Sequence, residues 1–425
     1  MKRKFWLQAF LVPFLIILTG CSSTKENQET TAIITSPEST KNAIIGTPIA
    51  LATKIKVPAG EEIPFCHGSG THKLVTKDIQ ITGTIVFQTD DLRGLYTLGG
   101  SPLTSKQVIP DNLQSIMIGF SPDGNWFAYA PFDSGVTDGI DHFDLTLLSA
   151  EGKELNQSLD LVQLEEYLQE GYWFMGNRIP SFWISSDLIY VTLYARNPEE
   201  TSTAYRLGDF PRILDPFTGS WENQLLDLPE YDLSSPVGIS PDRSRALYAE
   251  MDGLSLWDYD RGETIRKYSF LIPSLEGLSL WSPDGSKAAY VNLNDDYSEM
   301  TGVIIKNDGS YLPLVNKEFP KAGLFIQYAS WSPNSKLLAL AVAEGEDINL
   351  LIYDAISEQY IHQCIVSKAL GYDPALTWSP DSAQIAISSP DSPILLYDLP
   401  SGNIFELAQH GRVKGWSDKF PLNLP

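Results

Sequence analysis

Leu280-Trp281-Ser282-Pro283-Asp284-Gly285 is the stretch that decides the fold, because its pattern returns along most of the chain. Serine, proline, aspartate and glycine in this order favour a type I turn, since proline fixes φ and the serine caps the turn. Apolar stretches lie on both sides, at residues 278–281 and 288–291. Each copy therefore predicts a hairpin between two short strands.

Six further sites share this pattern, some of them degraded. They are centred on Ser121, Ser185, Ser240, Ser332, Ser379 and Ser417. The copy around Ser185 reads Trp183-Ile184-Ser185-Ser186-Asp187, and the last one is truncated to Gly415-Trp416-Ser417-Asp418. Successive serines are 38 to 64 residues apart. Propeller repeats run about 40–50 residues, so the units are blade-sized and two of them carry insertions.

A second hairpin follows the first in each unit. Residues 254–258 lead into Arg261-Gly262, and residues 395–398 lead into Ser401-Gly402. Two hairpins give four strands, which is the strand count of a propeller blade. The sequence therefore predicts an all-β fold, a seven-bladed β-propeller of four-stranded antiparallel blades.

Two arrangements account for the incomplete units at the two ends of the chain. Residues 84–88 and 94–98 are typical of the second and third strands of a blade without its turn motif, whereas residues 416–418 form a turn motif without later strands. In one arrangement the C-terminal strand completes the first blade and hides its open edge. In the other, residues 78–82 supply the missing strand and the tail is left loose. Both give seven blades.

The motifs resemble the WD40-like Pro-Asp repeats of the TolB-type propellers. The resemblance covers about residues 83–417, most of the chain that follows the N-terminal signal described next. It implies the fold and says little about activity, because this fold hosts many functions. TolB-type proteins carry a separate α/β domain before the propeller, and we expect no room for one here.

The N-terminus has the features of a bacterial export signal. Lys2, Arg3 and Lys4 precede a short apolar run, which ends in Leu18-Thr19-Gly20-Cys21. This ending resembles the bacterial lipobox, which implies cleavage before Cys21 and lipidation of its thiol. An ordinary signal peptide with a chance cysteine is the alternative. We expect a lipoprotein signal peptide at 1–20, a flexible tether at 21–60 and the β-propeller at 61–425, anchored outside the cytoplasm to the cell envelope membrane.

The net charge restricts the classes of partner. Loss of three positive charges with the signal takes the formal net charge from −23 to about −26. Such a chain repels nucleic acid, whose binding depends on Lys and Arg. It is also repelled by anionic membrane surfaces, so the lipid must provide the membrane attachment. Solubility alone is the other interpretation of this charge.

The long connections point to a binding face. In a four-stranded meander the second connection and the crossover between blades lie opposite the tight turns. The residues of these segments that we predict for binding are Asp133, Asp138, Asp141, Tyr172, Trp173, Asp295, Asp296 and Glu299. Clustered acids favour a cationic ligand or a basic protein surface. The alternatives are that the loops are simply hydrophilic, and that the aromatics pack beneath a short amphipathic helix predicted from Leu161, Leu164 and Leu168.

No catalytic constellation is evident. The chain contains no Gly-x-Ser-x-Gly elbow, phosphate loop or calcium loop, and we predict no cofactor and no metal. His67 and His72 lie near Cys66, but a fourth metal ligand at motif spacing is missing. Cys66 and Cys364 either form a disulfide or remain separate thiols.

The function predicted from the sequence is therefore an envelope-anchored, non-catalytic binding or scaffolding propeller. Its partner would be an envelope protein or a cationic ligand. The alternatives are a propeller hydrolase or lyase that uses carboxylates at the channel mouth, and a sensor or adhesion module.

Overall fold

The structure is a computed structural model. It describes residues 73–74, 81–89, 93–131, 142–161, 173–196, 207–222, 236–250, 253–269, 278–293, 299–318, 324–344, 347–367, 374–389 and 392–420. All of them belong to one compact unit, Lys54–Pro425. The described residues contain strands and turns but no helix, so the predicted all-β class is confirmed. Most of the predicted amphipathic helix falls at residues 162–172, outside the described residues.

The described part of the chain forms 28 strands. The first seven are β1 Lys73–Leu74, β2 Thr84–Gln88, β3 Arg93–Gly99, β4 Thr104–Phe120, β5 Trp126–Pro131, β6 His142–Ser149 and β7 Glu154–Asp160. The next eight are β8 Trp173–Ser185, β9 Leu188–Arg196, β10 Leu207–Asp215, β11 Ser220–Trp221, β12 Pro236–Ile239, β13 Arg245–Glu250, β14 Gly253–Asp258 and β15 Glu263–Tyr268.

The remaining strands continue the same alternation of strand and short connection. They are β16 Leu278–Trp281, β17 Lys287–Leu293, β18 Glu299–Lys306, β19 Tyr311–Glu318, β20 Leu324–Trp331, β21 Leu337–Glu344, β22 Asp347–Asp354, β23 Gln359–Ser367, β24 Ala375–Trp378, β25 Gln384–Ser388, β26 Pro393–Asp398, β27 Asn403–His410 and β28 Arg412–Ser417.

Antiparallel meanders of four strands are the repeating unit. The strands β8–β11, β12–β15, β16–β19 and β20–β23 each form a separate four-stranded sheet in chain order. The strands β24–β27 form another meander, to which β1 adds in parallel, with Lys73 opposite Phe405. The predicted pair of hairpins per unit is therefore confirmed, whereas the added parallel strand has no signal in the sequence.

The two ends of the chain meet in a seven-stranded sheet, ordered β28-β2-β3-β4-β5-β6-β7. The long strand β4 is shared by two successive meanders of this sheet. Its residues 104–109 pair with β3, and its residues 115–120 pair with β5. The C-terminal strand β28 pairs with β2, from Thr84 opposite Ser417 to Gln88 opposite Arg412. The C-terminal strand thus joins the N-terminal sheet, as in the first of the two predicted arrangements.

We number the four-stranded units 1 to 7 along the chain. Unit 1 contains β28, β2, β3 and residues 104–109, and unit 2 contains residues 115–120 and β5–β7. Units 3 to 7 begin with β8, β12, β16, β20 and β24. The first strands of neighbouring units lie against one another at most of the seams, including β24 against β28 and β28 against β4.

The core lies in the seams between consecutive units. Apolar clusters join unit 1 to 2, 2 to 3, 3 to 4, 4 to 5, 5 to 6 and 6 to 7. A further cluster joins unit 7 to unit 1 through Ala386, Leu396, Ile85 and Trp416. Burial of apolar area contributes about 25 cal/mol per Å², so these seams supply the main stabilisation of the fold.

Each unit has two ends. The end that carries the first and third connections, including the Ser-Pro-Asp turns, is called the turn face. The opposite end carries the second connections and the crossovers between units, and is called the insertion face.

Candidate functional site

The turns hold their own polar groups. In the turn at Ser282, the hydroxyl Oγ donates to Asp284 Oδ1 over 2.6 Å and accepts the N–H of Lys287 over 3.1 Å. The backbone N–H of Ser282 donates to the carbonyl of Lys287 over 2.8 Å. The same serine-to-acceptor bond is found in the turns at Ser121, Ser185, Ser240, Ser332 and Ser379. The motif aspartates are therefore structural.

The pKa values of the turn carboxyls reflect these bonds. Burial raises the pKa of Asp284, but the hydrogen bonds from Ser282 and Ser286 outweigh it and hold the pKa below its ordinary value. The pKa of Asp242 is lowered in the same way by Ser240 and Ser244, against the effect of burial. Both carboxylates are held ionised by donors of their own turn.

The fourth position of the turn has a left-handed backbone. Its φ lies between 60° and 71° at Gly124, Arg243, Gly285, Ser335 and Ser382. Glycine adopts this conformation without steric cost, whereas the other residues do not. Where another residue replaces glycine, we expect its side chain to make a stabilising contact that offsets the steric cost of this conformation.

Those contacts tie neighbouring turns together. The N–H of Asp284 donates to Ser335 Oγ over 3.0 Å, and the N–H of Asn334 donates to Ser382 Oγ over 3.3 Å. At the seam between units 1 and 2, Ser417 Oγ donates to the carbonyl of Gly124 over 3.0 Å. These bonds join the turns of adjacent units at three seams, those between units 5 and 6, units 6 and 7, and units 1 and 2.

The tryptophans before the turn serines lie in the seams. Trp331 is 7% exposed and Trp378 is 3% exposed, each packed between two units. Trp416 is buried between units 7 and 1, and Trp281 packs against the cluster between units 4 and 5. The Nε1 of Trp378 also donates to the carbonyl of Ser330 over 2.9 Å. The assignment of these side chains to the core between units is confirmed.

The residues that the sequence indicates for binding fall mostly outside the described residues. These are Asp133, Asp138, Asp141, Tyr172, Asp295 and Asp296, and Cys21 and Cys66 are outside as well. Trp173 begins β8 and Glu299 begins β18. Residues 132–141 connect β5 to β6, and residues 294–298 connect β17 to β18. Both segments are second connections of their units, as predicted.

Sequence reasoning missed a polar group at the insertion-face end of β2. Gln88 is 1% exposed, and its Nε2 donates to the carbonyl of Ser115 in unit 2 over 3.2 Å. Its Oε1 is buried and has no hydrogen-bond partner among the described residues. Arg412 lies directly opposite Gln88 in the β2–β28 pair. The signal was a glutamine that closes the otherwise apolar run Ile85-Val86-Phe87.

The remaining cysteine and one histidine lie in strands. Cys364 is opposite Leu350 in the pair of β22 and β23. The Tyr397 hydroxyl and His362 Nδ1 are hydrogen-bonded over 2.9 Å, and burial lowers the pKa of the imidazole. Within the described ranges, no three His, Cys, Asp or Glu side chains are grouped to hold a metal ion. That same part of the chain contains no helix able to span a membrane.

Comparison with known proteins gives one curated sequence match and many structural matches. No family model matches the chain. The prolyl endopeptidase FAP of Bos taurus is 33% identical over 148 residues, which are 30% of this chain and 19% of that protein. The chain thus spans about a fifth of the length of that relative.

Three solved structures are similar to most of the chain. The Acinetobacter baumannii TolB structure has a TM-score of 0.44 and 12% identity, over 80% of this chain and 67% of its own. The periplasmic gluconolactonase PpgL of Pseudomonas aeruginosa has a TM-score of 0.48 and 14% identity, over 79% and 97%. An oligogalacturonate lyase in complex with manganese has a TM-score of 0.45 and 13% identity, over 80% and 87%.

Proposed function

We propose that the chain is an envelope-anchored, non-catalytic binding or scaffolding protein whose units are the blades of a closed seven-bladed β-propeller. Two observations support the ring. Each unit packs on the next through an apolar cluster, and unit 7 packs on unit 1. The pairing of β28 with β2 joins the C-terminal strand to the N-terminal sheet.

The proposed binding role of the insertion face is supported by the way its carboxylates differ from those of the turn face. On the turn face, the motif carboxylates accept hydrogen bonds within their own turns, and the turns of adjacent units are bonded to each other at three seams. The second connections at residues 132–141 and 294–298 are longer and acidic in sequence. Acids held close together repel one another, and a cationic ligand or a basic protein surface relieves that repulsion.

The membrane anchor rests on Cys21 and the lipobox that precedes it. Several acyl chains on one residue hold a protein firmly, because each buried methylene contributes about 0.8 kcal/mol. Cys21→Ser is expected to release the protein from the membrane fraction, measured by fractionation and by mass spectrometry of the mature N-terminus. A variant that stayed membrane-bound without acyl mass would contradict lipid anchoring.

The binding face is tested by neutralising both acidic connections. Partners are captured from envelope extracts with the wild type and with a variant in which Asp133, Asp138, Asp141, Asp295 and Asp296 become Asn and Glu299 becomes Gln. Binding should weaken in the variant and with added salt, which screens exposed charges over about 8–10 Å near physiological strength.

The matched control neutralises two exposed carboxylates of the turn face, Asp260→Asn and Asp418→Asn. This control should bind like the wild type. A partner that ignored the connection changes and the salt, but was lost in the control, would place the binding surface on the turn face instead.

A further inference from the structure

The seam between units 6 and 7 contains a histidine whose hydrogen bond crosses from one unit to the other. His362 lies in β23, the last strand of unit 6, and Tyr397 lies in β26 of unit 7. The Tyr397 hydroxyl and His362 Nδ1 are 2.9 Å apart, and the two rings meet edge to face with their centroids 5.9 Å apart. The described residues give the hydroxyl no other hydrogen-bond partner. Two units are therefore joined here through a side chain that can gain a proton.

The surroundings of this bond are apolar. Tyr397 is fully buried in the cluster between units 6 and 7, which also contains Ile352 of unit 6 and Leu395 of unit 7. His362 is directly opposite Ile352 in the β22–β23 pair, so its partly buried ring projects from the same side of the sheet, toward unit 7. Water can therefore replace the histidine as the acceptor of the Tyr397 hydroxyl only if the seam opens.

The charged residues near the histidine do not neutralise an added proton. Asp354, at the turn-face end of β22, accepts an N–H of its own turn over 2.8 Å, and Glu406 of β27 is opposite Leu395. Asp398 projects from the other side of β26. Among the described residues none of these carboxylates forms an ion pair with His362, and burial is the cause that lowers the pKa of its imidazole.

Protonation of His362 removes the acceptor from the seam. A neutral imidazole with its proton on Nε2 accepts the tyrosine O–H at Nδ1, whereas the imidazolium carries a proton on both nitrogens. The Tyr397 hydroxyl must then turn to accept from Nδ1–H, which leaves its own proton without an acceptor inside the seam. The charged ring also loses hydration, because it is partly buried and has no carboxylate paired with it. Both effects favour opening of this part of the seam.

We propose that the His362–Tyr397 pair is a pH-sensitive latch on the outer part of the seam between units 6 and 7, released when the histidine is protonated. The inner part of the same seam keeps a bond that does not titrate, from Trp378 Nε1 in β24 to the Ser330 carbonyl in β20. Acid therefore loosens β23 from β26 while β20 and β24 stay joined. The latch depends on the packing of these two units and not on the proposed binding role or membrane anchor.

The pH range of the release follows from the environment of the histidine. Burial holds the pKa of His362 below the value of about 6.5 that applies in the unfolded chain. The folded protein therefore binds fewer protons between the two pKa values, so the stabilisation is complete above about pH 6.5 and is lost as the pH falls toward the folded pKa. Each unit of separation between the two values changes the folding equilibrium constant by about tenfold.

The test compares the full-length wild type with His362→Gln, which keeps an acceptor for the Tyr397 hydroxyl but does not titrate. Urea midpoints are measured between pH 5 and pH 8. The wild-type midpoint should fall more steeply below about pH 6.5 than that of the variant, and amide protection factors should fall more in β23 than in β20. His142→Gln is the matched control, because the His142 side chain is 60% exposed, and it should keep the wild-type profile.

Tyr397→Phe separates the latch from the burial of a histidine alone. This variant has no hydroxyl proton to lose its acceptor, so NMR titration of the His362 imidazole should give a higher midpoint than in the wild type. This measurement also decides the question if His362→Gln does not fold. Parallel urea profiles for the wild type and His362→Gln, an imidazole that titrates at or above about pH 6.5, or an unchanged titration in Tyr397→Phe would each rule out the latch. None of these outcomes bears on the partner capture or the fractionation described above.

Discussion

At the scale of single residues, the hydrogen bonds of the turn serine explain why the repeat can be recognised in the sequence. Ser282 uses its hydroxyl twice, as a donor to Asp284 and as an acceptor from Lys287, while its N–H closes the strand ladder. Serine combines a short side chain with both hydrogen-bonding roles, and proline fixes the backbone that follows. The pattern therefore persists in sequence even where the glycine is replaced.

Ser335 shows how a replaced glycine is compensated, and it gives the first prediction. Its φ of 60° strains the backbone, but its hydroxyl accepts the N–H of Asp284 across the seam. Ser335→Ala should lose that bond and keep the strain, lowering the free energy of unfolding by about 1 kcal/mol. Ser335→Gly should lose less, because glycine avoids the left-handed strain of about 1–2 kcal/mol, which outweighs its greater freedom in the unfolded chain. The stabilities of the two variants are compared by their urea denaturation midpoints. An alanine variant as stable as the wild type would contradict a stabilising role for the hydrogen bond across the seam.

The turn carboxylates predict a loss of stability in acid. The pKa of Asp284 is lower in the folded state than in the unfolded chain, where it is about 3.9. The native state then binds fewer protons, so the stabilisation is complete above about pH 4 and is lost as pH falls through the folded pKa. Melting temperatures between pH 2 and pH 6 should fall less steeply for Asp284→Asn than for wild type. Parallel curves for the two proteins would show that this carboxylate has no such role.

At the scale of elements, stability lies in the seams between units. Trp331 packs against Ala289 and Ile304 of unit 5 and against Leu338 and Leu340 of its own unit. In units 5, 6, 7 and 1, a tryptophan at or next to the end of the first strand thus fills the seam with the preceding sheet. Individual meanders expose this apolar surface, so each unit depends on its neighbours.

Trp331→Ala should therefore lower the free energy of unfolding by about 3–5 kcal/mol, the range for removing a large aromatic from a core. Ile356→Ala is the control, since Ile356 is 67% exposed and should change stability by less than about 0.5 kcal/mol. Both are measured by denaturant unfolding. A stable Trp331→Ala protein that had lost a binding activity would make the tryptophan part of a ligand site.

The sequence predicts the elements that have local signals and misses those that do not. The strands on both sides of each Ser-Pro-Asp turn follow from the turn chemistry and the apolar runs. The parallel addition of β1 to β27 joins Lys73 to Phe405, a pairing between distant segments that no local pattern encodes. Gln88 was missed because a lone glutamine at a strand end has no spacing motif, and only its burial makes it informative.

At the scale of the whole molecule, the C-terminal segment contacts three units. The N–H of Val413 donates to Ser388 Oγ of unit 7, and β28 pairs with β2 in unit 1. Beyond β28, Phe420 is 3% exposed against Phe120 and Phe127, and Lys419 Nζ donates to the Asp123 carbonyl of unit 2. The described C-terminal residues thus make contacts across the seams on both sides of unit 1.

Two truncations test whether this segment closes the molecule. Deletion of residues 412–425 removes β28, bares the edge of β2 and takes Val413 and Trp416 out of the cluster between units 7 and 1. We expect a lower unfolding midpoint, faster amide exchange at Ile85 and Phe87, and self-association through the bare edge. Deletion of residues 421–425 keeps Phe420 and should leave all three unchanged. If the longer deletion kept the midpoint and the amide protection of the full chain, β28 would be dispensable, and the ring would have to be held without its C-terminal strand.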